Sequence, residues 1–448
     1  MEHAAEVIVV GAGMAGLKAA RDLADLGCGV IVLEADGRIG GRLKRTQVAG
    51  AVADVGGQWV GAAHHALLAE AARLGVATYP QFDEGKVMLQ LTGKMVRSRA
   101  DVPAIPPLAL IELAWLQRLW RRDMKTVPAE APWTAPKAAE WDAMTLETWI
   151  MRRLRTASAR AFARLVARGT WAVEAGQVSY LWFLDALRGN GGLEHLMGIK
   201  GGMLQDKFVG GMHQIAARLA EELGGAVVLN APVRRIAQDA DGVTVISDKG
   251  EFTGRFAIIA APPGPTQRIQ FEPHLPAARD GLQQRMPMGA IIKIAVAYAE
   301  PFWRADGLSG QGATADDLLG IVMDDARDGG PAVLLAFIEG ARALEMSAAG
   351  KAARREAVIA ALARMFGPRA GEPIGYEDND WTLESWTHGY VGSMGPGVMT
   401  RFGPALREPV GRIHWAGTET STEWAGCIEG ALLSGIRAAG EVSRHRNS

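Results

Sequence analysis

The fold is decided by two short stretches near the start of the chain, VIVVGAGMAG (Val7–Gly16) and VIVLE (Val30–Glu34). Each begins with a continuous apolar run, which is typical of a fully buried strand. The residues between them place apolar side chains at helical spacing. Strand, helix and strand in this order make a βαβ unit with two parallel strands. We therefore predict an α/β fold built on a Rossmann-like parallel sheet.

The turn between the first strand and the helix has the pattern GxGxxG. Gly11 allows a tight turn, Gly13 lets the backbone approach a pyrophosphate, and Gly16 lets the helix pack closely on the strand. The helix N-terminus at Ala15 faces the negative charge, and Glu34 has the spacing needed to bind both ribose hydroxyls of an adenosine. A glycine-rich turn without a ligand is the alternative, but the strand and helix on either side favour a dinucleotide site.

The residues after Glu34 distinguish between dinucleotides. Gly40 and Gly41 are followed by Arg42, whose guanidinium would lie near the pyrophosphate and bind it through two hydrogen bonds. A surface arginine is the alternative interpretation of Arg42. The adjacent glycines favour the first interpretation, and the predicted cofactor is therefore FAD.

Composition excludes several classes of function. The 448 residues carry a formal net charge of -1, without the field expected of a nucleic-acid binder, so small molecules are the expected partners. The two cysteines, Cys28 and Cys427, form no CxxC or Cys/His spacing, and the histidines form no ligand cluster, so no metal is expected. The chain starts without a signal-peptide pattern, and a reducing, cytoplasmic setting fits its cysteine content.

The most membrane-like segment runs from Leu108 to Arg122, and it is too short and too polar to span a bilayer. We predict an amphipathic helix that packs on a neighbouring helix, with contact to a membrane surface as the alternative. No membrane span is expected. The nearby aromatic residues are expected mainly in a helical core, with lining of the ligand cavity as the alternative; they are Trp171, Tyr180, Trp182 and Phe183.

The order of patterns along the chain indicates two interleaved domains, because 448 residues exceed one ordinary core. Patterns typical of the parallel sheet occur at both ends, and a β-rich region lies between them. The region from Tyr79 to Asp206 is instead rich in helix-forming residues. We predict a discontinuous FAD-binding domain of residues 1–78, 207–285 and 385–448. The remaining residues, 79–206 and 286–384, would form an α+β substrate-binding domain.

Five segments resemble, in the same order, the flavin-containing monoamine oxidase family. They are LEADGRIGGRL (Leu33–Leu43), DVGGQWVG (Asp54–Gly61), QDKFVGGMHQI (Gln205–Ile215), IIKIAVAYAEPFW (Ile291–Trp303) and WAGTETSTEWAGCIEGA (Trp415–Ala431). The resemblance covers nearly the whole chain. It implies a two-domain flavoprotein that oxidises an amine to an imine by hydride transfer to flavin N5, with oxygen reduced to hydrogen peroxide.

The resemblance also assigns roles to single residues. Lys293 would be catalytic, because the family has a lysine in this motif that holds a water against flavin N5. The alternation of its neighbours alone would make Lys293 a solvated residue of an amphipathic strand. Trp381 would pack beside the isoalloxazine, and Val233 would contact the adenine through its backbone. The other FAD contacts implied by the resemblance are Gly57, Gln58, Trp59, Thr418, Glu419 and Ile428.

Two positions depart from the family pattern. Membrane-anchored animal members tether the flavin to a cysteine, where this chain has THGY (Thr387–Tyr390), so noncovalent FAD is expected. Those members also flank the substrate nitrogen with two tyrosines. Alignment places Tyr390 at one of these positions, or Val391 if the gap is moved, and Cys427 at the other. Gln205 is a further expected pocket residue, because it matches a family glutamine near the flavin.

The resulting interpretation is an FAD-dependent amine oxidase whose partners are a small amine and oxygen. Two alternatives remain at this point. One is a related FAD-dependent desaturase that acts on carbon–carbon bonds, and the other is a catalytically weak flavoprotein that serves as an interaction module. The sequence leaves the amine, the physiological electron acceptor and the oligomeric state, a homodimer included, undetermined.

Overall fold

The predicted βαβ unit is part of a five-stranded sheet whose strands are all parallel. The computed structural model describes residues 2–99, 104–327 and 330–446. In spatial order, the strands are Val227–Val228, Val30–Leu33, Val7–Val10, Phe256–Ile259 and Ile413–Trp415. All side chains of Val7–Val10 and Phe256–Ile259 are buried, because both faces of the sheet are covered.

Helices cover one face of this sheet and a second sheet covers the other. The helices are Met14–Asp25, His213–Leu223 and Ile428–Arg446. The second sheet contains, in spatial order, Glu2–Ala4, Gly250–Gly254, Val243–Ser247, Val233–Gln238 and Gln270–Glu272. Its strands Val233–Gln238, Val243–Ser247 and Gly250–Gly254 form an antiparallel meander within the β-rich region expected from the sequence. The apolar strand Phe256–Ile259 leaves the meander and joins the parallel sheet.

A seven-stranded sheet forms the second half of the molecule. Its strands, in spatial order, are Gly375–Asp380, Ile291–Tyr298, Ala332–Glu339, Ile321–Asp324, Leu308–Thr314, Lys86–Gln90 and Val96–Ser98. All eight side chains of Ile291–Tyr298 are buried. Helix Ala341–Phe366 covers one face of this strand, and the hairpin Arg45–Val48 and Ala51–Asp54 covers the other. The interpretation of an amphipathic strand with a solvated lysine is therefore wrong.

The region after residue 104 is helical, as predicted, but strands Lys86–Gln90 and Val96–Ser98 precede it. Its helices are Pro107–Met124, Ala138–Asp142, Leu146–Arg153, Ala157–Trp171, Tyr180–Gly189 and Leu193–Met197. The predicted amphipathic helix is Pro107–Met124, which buries Leu116 and Trp120 against neighbouring helices. Among the helices of the described ranges, none is long and apolar enough to cross a membrane.

A small three-stranded sheet connects the two halves. Strand Asp206–Phe208 pairs with Trp59–Val60 on one side and Thr78–Pro80 on the other. This pairing places Lys207 directly opposite Trp59. The remaining helices are His65–Arg73, Ala277–Gln283, Phe302–Ala305 and Val398–Phe402.

Candidate active site

A cavity of about 610 Å³ lies between the parallel sheet and the seven-stranded sheet. Gly11 and Glu34 belong to its wall at the parallel sheet, Lys293 and Phe337 at the seven-stranded sheet, and Leu165 in the helical region. Strand ends, helix ends and loops from both halves therefore enclose the same space. A cavity enclosed in this way is a common place for a large ligand and its reaction partner.

The glycine turn has the shape that a pyrophosphate needs. Gly11 has a φ of +106°, and a Cβ there would lie 3.1 Å from the carbonyl oxygen of Ala260. A Cβ on Gly16 would lie 1.9 Å from the Gly11 carbonyl oxygen, so the helix packs against the turn only without a side chain. A Cβ on Gly13 would meet no atom within 4 Å, and no side chain caps the helix that begins at Met14. The first backbone N–H groups of this helix therefore remain available to an anion.

Glu34 lies in the same part of the wall and is buried. Its Oε2 accepts the N–H of Ala12 at 2.6 Å, and its Oε1 accepts the N–H of Asp36 at 2.8 Å. Burial raises the pKa of Glu34, and these two donors oppose that shift. Each carboxylate oxygen keeps a lone pair that can accept a ribose hydroxyl. Together with the glycine turn and the wall at Val233, this carboxylate fits the adenosine and pyrophosphate of FAD.

Arg42 lines the cavity and is held in place by two protein groups. Its guanidinium donates to both carboxylate oxygens of Glu419, at 2.6 and 3.1 Å, and to the carbonyl oxygen of Tyr390 at 2.7 Å. Burial alone would raise the pKa of Glu419, but Arg42 and two backbone N–H donors together leave that pKa below its usual value. Arg42 lines the cavity, whereas Glu419 lies behind it. The carboxylate of Glu419 thus forms an ion pair that holds Arg42 and the chain at Tyr390.

Lys293 reaches the cavity wall with an amine that is almost fully enclosed. Its Nζ donates to the carbonyl oxygen of Gly56 at 2.9 Å and to Oε1 of Gln58 at 2.7 Å. The Trp59 ring centre lies 4.9 Å from the same nitrogen. Burial lowers the pKa of Lys293 to about 8, although two nearby carboxylates oppose the shift. An amine with such a pKa can donate or accept a proton near neutral pH.

The remaining flavin contacts implied by the resemblance also line the cavity; they are Gly57, Gln58, Trp59, Trp381, Thr418 and Ile428. The indole N–H of Trp381 donates to the carbonyl oxygen of Val55 at 2.8 Å, which fixes the ring. Thr418 Oγ1 donates to the carbonyl oxygen of Cys427 at 2.7 Å and accepts the N–H of Gly426 at 2.9 Å. These bonds hold the chain that leads into helix Ile428–Arg446.

Tyr390 and Cys427 both line the cavity, whereas Val391 packs beside Gly426. Of the two alignments, the structure therefore favours the one that uses Tyr390. The Cys427 thiol donates to Oδ1 of Asn190 at 3.1 Å. Burial raises the pKa of Cys427 to about 12, and burial followed by the nearby Cys427 raises the pKa of Tyr390 to about 12. Both groups are neutral near pH 7.

Gln205 does not line the cavity. Its Oε1 accepts the N–H of Gly201 at 3.1 Å, and its Nε2 donates to Asp206 at 2.9 Å. Leu204, one residue earlier, lines the cavity instead. Neighbouring side chains in this turn point in different directions, so a shift of one residue changes which of them reaches the cavity.

The part of the cavity formed by the helical region and the seven-stranded sheet is called the far end. Its lining could not be identified from the sequence. Apolar side chains form most of it, among them Leu165, Trp171, Leu196, Leu204, Ile321 and Phe337. His64 and Asn190 add polar atoms, and burial lowers the pKa of His64 to about 4, which leaves its ring neutral. Among the described residues, Glu34 contributes the one carboxylate of the wall. The described part of the chain also contains no group of three or more His, Cys, Asp or Glu suited to a metal ion.

Proteins of one family match this chain over nearly its whole length. The family described as flavin containing amine oxidoreductase matches residues 14–443. AofH of Mycobacterium tuberculosis, named as a flavin-containing monoamine oxidase, is 40% identical over 440 residues, which cover 98% of this chain and 96% of AofH. The flavin-containing amine oxidase A of Equus caballus is 37% identical over 449 residues, which cover 98% of this chain and 85% of that protein.

Two solved structures agree with this assignment. Putrescine oxidase bound to putrescine has a TM-score of 0.95 and 32% identity, and the match covers 99% of this chain and 100% of that one. Cyclohexylamine oxidase from Brevibacterium oxydans has a TM-score of 0.95 and 31% identity, with the same coverage. The predicted α/β fold and family are confirmed, and the desaturase and interaction-module alternatives are not favoured. The chain belongs to the flavin-containing amine oxidase family and is an FAD-dependent amine oxidase.

Proposed function

We propose that this enzyme oxidises apolar monoamines, with FAD held by noncovalent contacts and oxygen as the electron acceptor. The supporting observation is the far end of the cavity, which is apolar and has no carboxylate among the described residues. Burial of an apolar substituent there is favourable by about 25 cal/mol per Å². A second ammonium group would lose its hydration without gaining a counter-ion, which is costly.

The groups around the proposed amine position favour the unprotonated amine. Tyr390 and Cys427 are neutral near pH 7, so they provide no charge to stabilise an ammonium ion. Only the free amine has the lone pair that stabilises the developing iminium when hydride leaves the α-carbon. FAD, when bound, accepts this hydride and passes two electrons to oxygen.

The position of the family's tethering cysteine supports noncovalent FAD. Gly389 stands there with a φ of +143°, and a Cβ would lie 2.5 Å from the carbonyl oxygen of Gly289. A cysteine at this position would therefore require the backbone to move. Acid precipitation of the purified protein should release all of its flavin into the supernatant, and colour that stays in the pellet would contradict this part of the proposal.

Lys293 supports oxygen as the acceptor. Its amine lines the cavity and has a pKa of about 8, so it can hold a water at the cofactor and exchange a proton as oxygen is reduced. The two-domain division and the cytoplasmic setting remain predictions from the sequence.

A matched pair of amines tests the substrate class. Hexylamine and 1,6-diaminohexane have the same carbon chain and differ in one terminal ammonium group. Because an unpaired buried charge costs several kcal/mol, we expect kcat/KM for peroxide formation to be at least about 100-fold higher with hexylamine. Equal values for the two amines would contradict the proposed preference, and the absence of peroxide with both would contradict oxygen as the acceptor.

A further inference from the structure

A second buried lysine lies behind Lys293. Lys207 pairs with Asp325 at 2.6 Å, and the exposed fractions of the two side chains are 3% and 1%. Gln58 joins this pair to Lys293: its Nε2 donates to Asp325 Oδ1 at 2.9 Å, and its Oε1 accepts from Lys293 Nζ at 2.7 Å. We propose that Asp325, held by Lys207, is a positioning residue that fixes the amide of Gln58 and thereby the direction of the Lys293 amine.

The amide of Gln58 has one arrangement that satisfies both neighbours. An ionised carboxylate only accepts hydrogen bonds, so Asp325 requires the NH₂ end of the amide. The carbonyl end then faces Lys293, whose N–H groups it accepts. In the reverse arrangement, the amide oxygen would face the carboxylate of Asp325 and the NH₂ group would face the N–H groups of Lys293. Neither contact would form a hydrogen bond, which is costly in a buried region.

This arrangement leaves one position on Lys293 Nζ without a protein partner. Two of its N–H groups are bound by the carbonyl oxygen of Gly56 and by Gln58. In the neutral amine the remaining position is a lone pair, and in the ammonium ion it is a third N–H. Since Lys293 lines the cavity, the remaining position is available to a water or cofactor atom there. The inference rests on the proposed role of Lys293 in the site.

Lys207 and Asp325 do not line the cavity, so they act through Gln58 and not by contact with a ligand. A buried ion pair contributes little to stability on average, so stability does not explain why Lys207 and Asp325 lie behind Lys293. The pair carries no net charge, so its main effect on Lys293 is through orientation. The other charged group that influences Lys293 is Asp54, whose Oδ2 accepts the N–H of Met212 at 3.0 Å.

The residues that flank Lys293 on its own sheet are uncharged. Asn379 lies opposite it on one neighbouring strand and Phe337 on the other. The charged groups that influence its amine are therefore Asp54, Lys207 and Asp325. This makes the route through Gln58 testable with few variants.

The test measures the pKa of Lys293 in the ligand-free full chain, from the pH dependence of its acetylation by acetic anhydride, quantified by mass spectrometry. Replacing the pair by apolar residues, in the double variant Lys207→Met and Asp325→Leu, avoids an unpaired charge and removes the acceptor for Gln58. The amide can then turn its NH₂ end toward Lys293, which disfavours the ammonium ion. We expect the pKa of Lys293 to fall by about one unit, a tenfold change in the ratio of its two forms.

Two controls separate orientation from charge and from packing. The double variant Lys207→Met and Asp325→Asn keeps an oxygen that accepts from Gln58 and leaves no unpaired charge, so it should leave the pKa of Lys293 near the wild-type value. Asp324→Leu removes a neighbouring carboxylate that is 0% exposed and pairs with Arg304 at 2.9 Å, without touching Gln58. Asp324→Leu should lower the free energy of unfolding and leave the pKa of Lys293 unchanged. The proposal is overturned if Lys207→Met with Asp325→Asn shifts the pKa of Lys293 as much as Lys207→Met with Asp325→Leu does, or if Asp324→Leu shifts it as much.

A thermodynamic cycle tests whether the effect passes through Gln58. Gln58→Leu should reproduce the shift of Lys207→Met with Asp325→Leu, and combining the changes should add nothing further. Additive shifts would show that the pair acts on Lys293 by another route and would overturn the proposal. Lys293→Met separately tests the proposed function: stopped-flow traces should show slower flavin reoxidation and little change in reduction by amine. If reoxidation is unchanged, that role of Lys293 fails while the labelling result still decides the role of Asp325.

Discussion

The two ends of the cavity are built in different ways. At the cofactor end, the wall for the adenosine and pyrophosphate consists mainly of backbone and one carboxylate, from residues 11–42 of the βαβ unit and the turn that follows it. The far end consists of side chains from helix Ala157–Trp171, helix Leu193–Met197 and strands Ile321–Asp324 and Ala332–Glu339. Changes at the first end should therefore act on FAD binding, and changes at the second on the choice of amine.

Two alanine substitutions within the glycine turn should affect different properties, one the stability of the fold and the other the affinity for FAD. Gly16→Ala places a Cβ 1.9 Å from the backbone oxygen of Gly11, so it should lower the free energy of unfolding of the ligand-free protein by about 3 kcal/mol or more. Gly13→Ala meets no atom within 4 Å and should leave that free energy nearly unchanged. It should instead raise the Kd for FAD at least about tenfold, because the methyl group occupies the approach to the pyrophosphate. Denaturant unfolding and flavin titration separate the two, and equal stability of both variants would remove the steric basis of this site.

Lys293 joins the two ends, and its burial should appear in the pH dependence of stability. Burial lowers its pKa from the usual 10.5 to about 8, so the unfolded state binds a proton that the folded state has lost between these values. Stability should therefore rise with pH from about 8 to about 10.5, by about 3 kcal/mol from this group. Below pH 8 the folded protein bears the full free-energy cost of burying the protonated amine of Lys293. The free-energy difference between wild type and Lys293→Met should show this slope, and a difference independent of pH would contradict the burial of a charged form.

Glu34 should contribute to FAD affinity by about 1–3 kcal/mol, the range for hydrogen bonds to a charged group. Glu34→Ala leaves the ribose hydroxyls poorly paired and removes the acceptor for the N–H groups of Ala12 and Asp36. Glu34→Gln keeps part of that acceptor capacity and should have a smaller effect. Titration of the apoprotein with FAD measures both variants. Unchanged affinity in Glu34→Ala would remove this residue from the cofactor site.

Cys427 should influence substrate choice and not stability. A tyrosine in its place would fill part of the cavity beside Tyr390, so Cys427→Tyr should shift relative kcat/KM from bulky or secondary amines toward slim primary amines by about tenfold. Cys427→Ser keeps a donor for Asn190 and serves as the control. If Cys427→Tyr lowers the melting temperature and leaves the ranking of amines unchanged, the thiol is a packing residue.

The same contrast explains what could be predicted from the sequence. The glycine turn and Glu34 were predictable because their geometry depends on residues within one βαβ unit. The ion pair of Arg42 with Glu419 was not, because its partner is far away in sequence and an arginine can bind a carboxylate as well as a phosphate. The face of helix Ala157–Trp171 that meets the cavity was also hidden, since apolar spacing does not distinguish core from pocket.

The central claim is that the far end of the cavity accepts an apolar chain and rejects a second charge. Oxidised holoenzyme is mixed anaerobically with hexylamine or 1,6-diaminohexane, and the loss of oxidised-flavin absorbance is followed over a range of concentrations. This measurement isolates binding and flavin reduction from the reaction with oxygen. The account predicts rapid bleaching that saturates with hexylamine, and half-saturation at an at least about 100-fold higher concentration with the diamine. Saturation at equal concentrations, or faster reduction by the diamine, would contradict it.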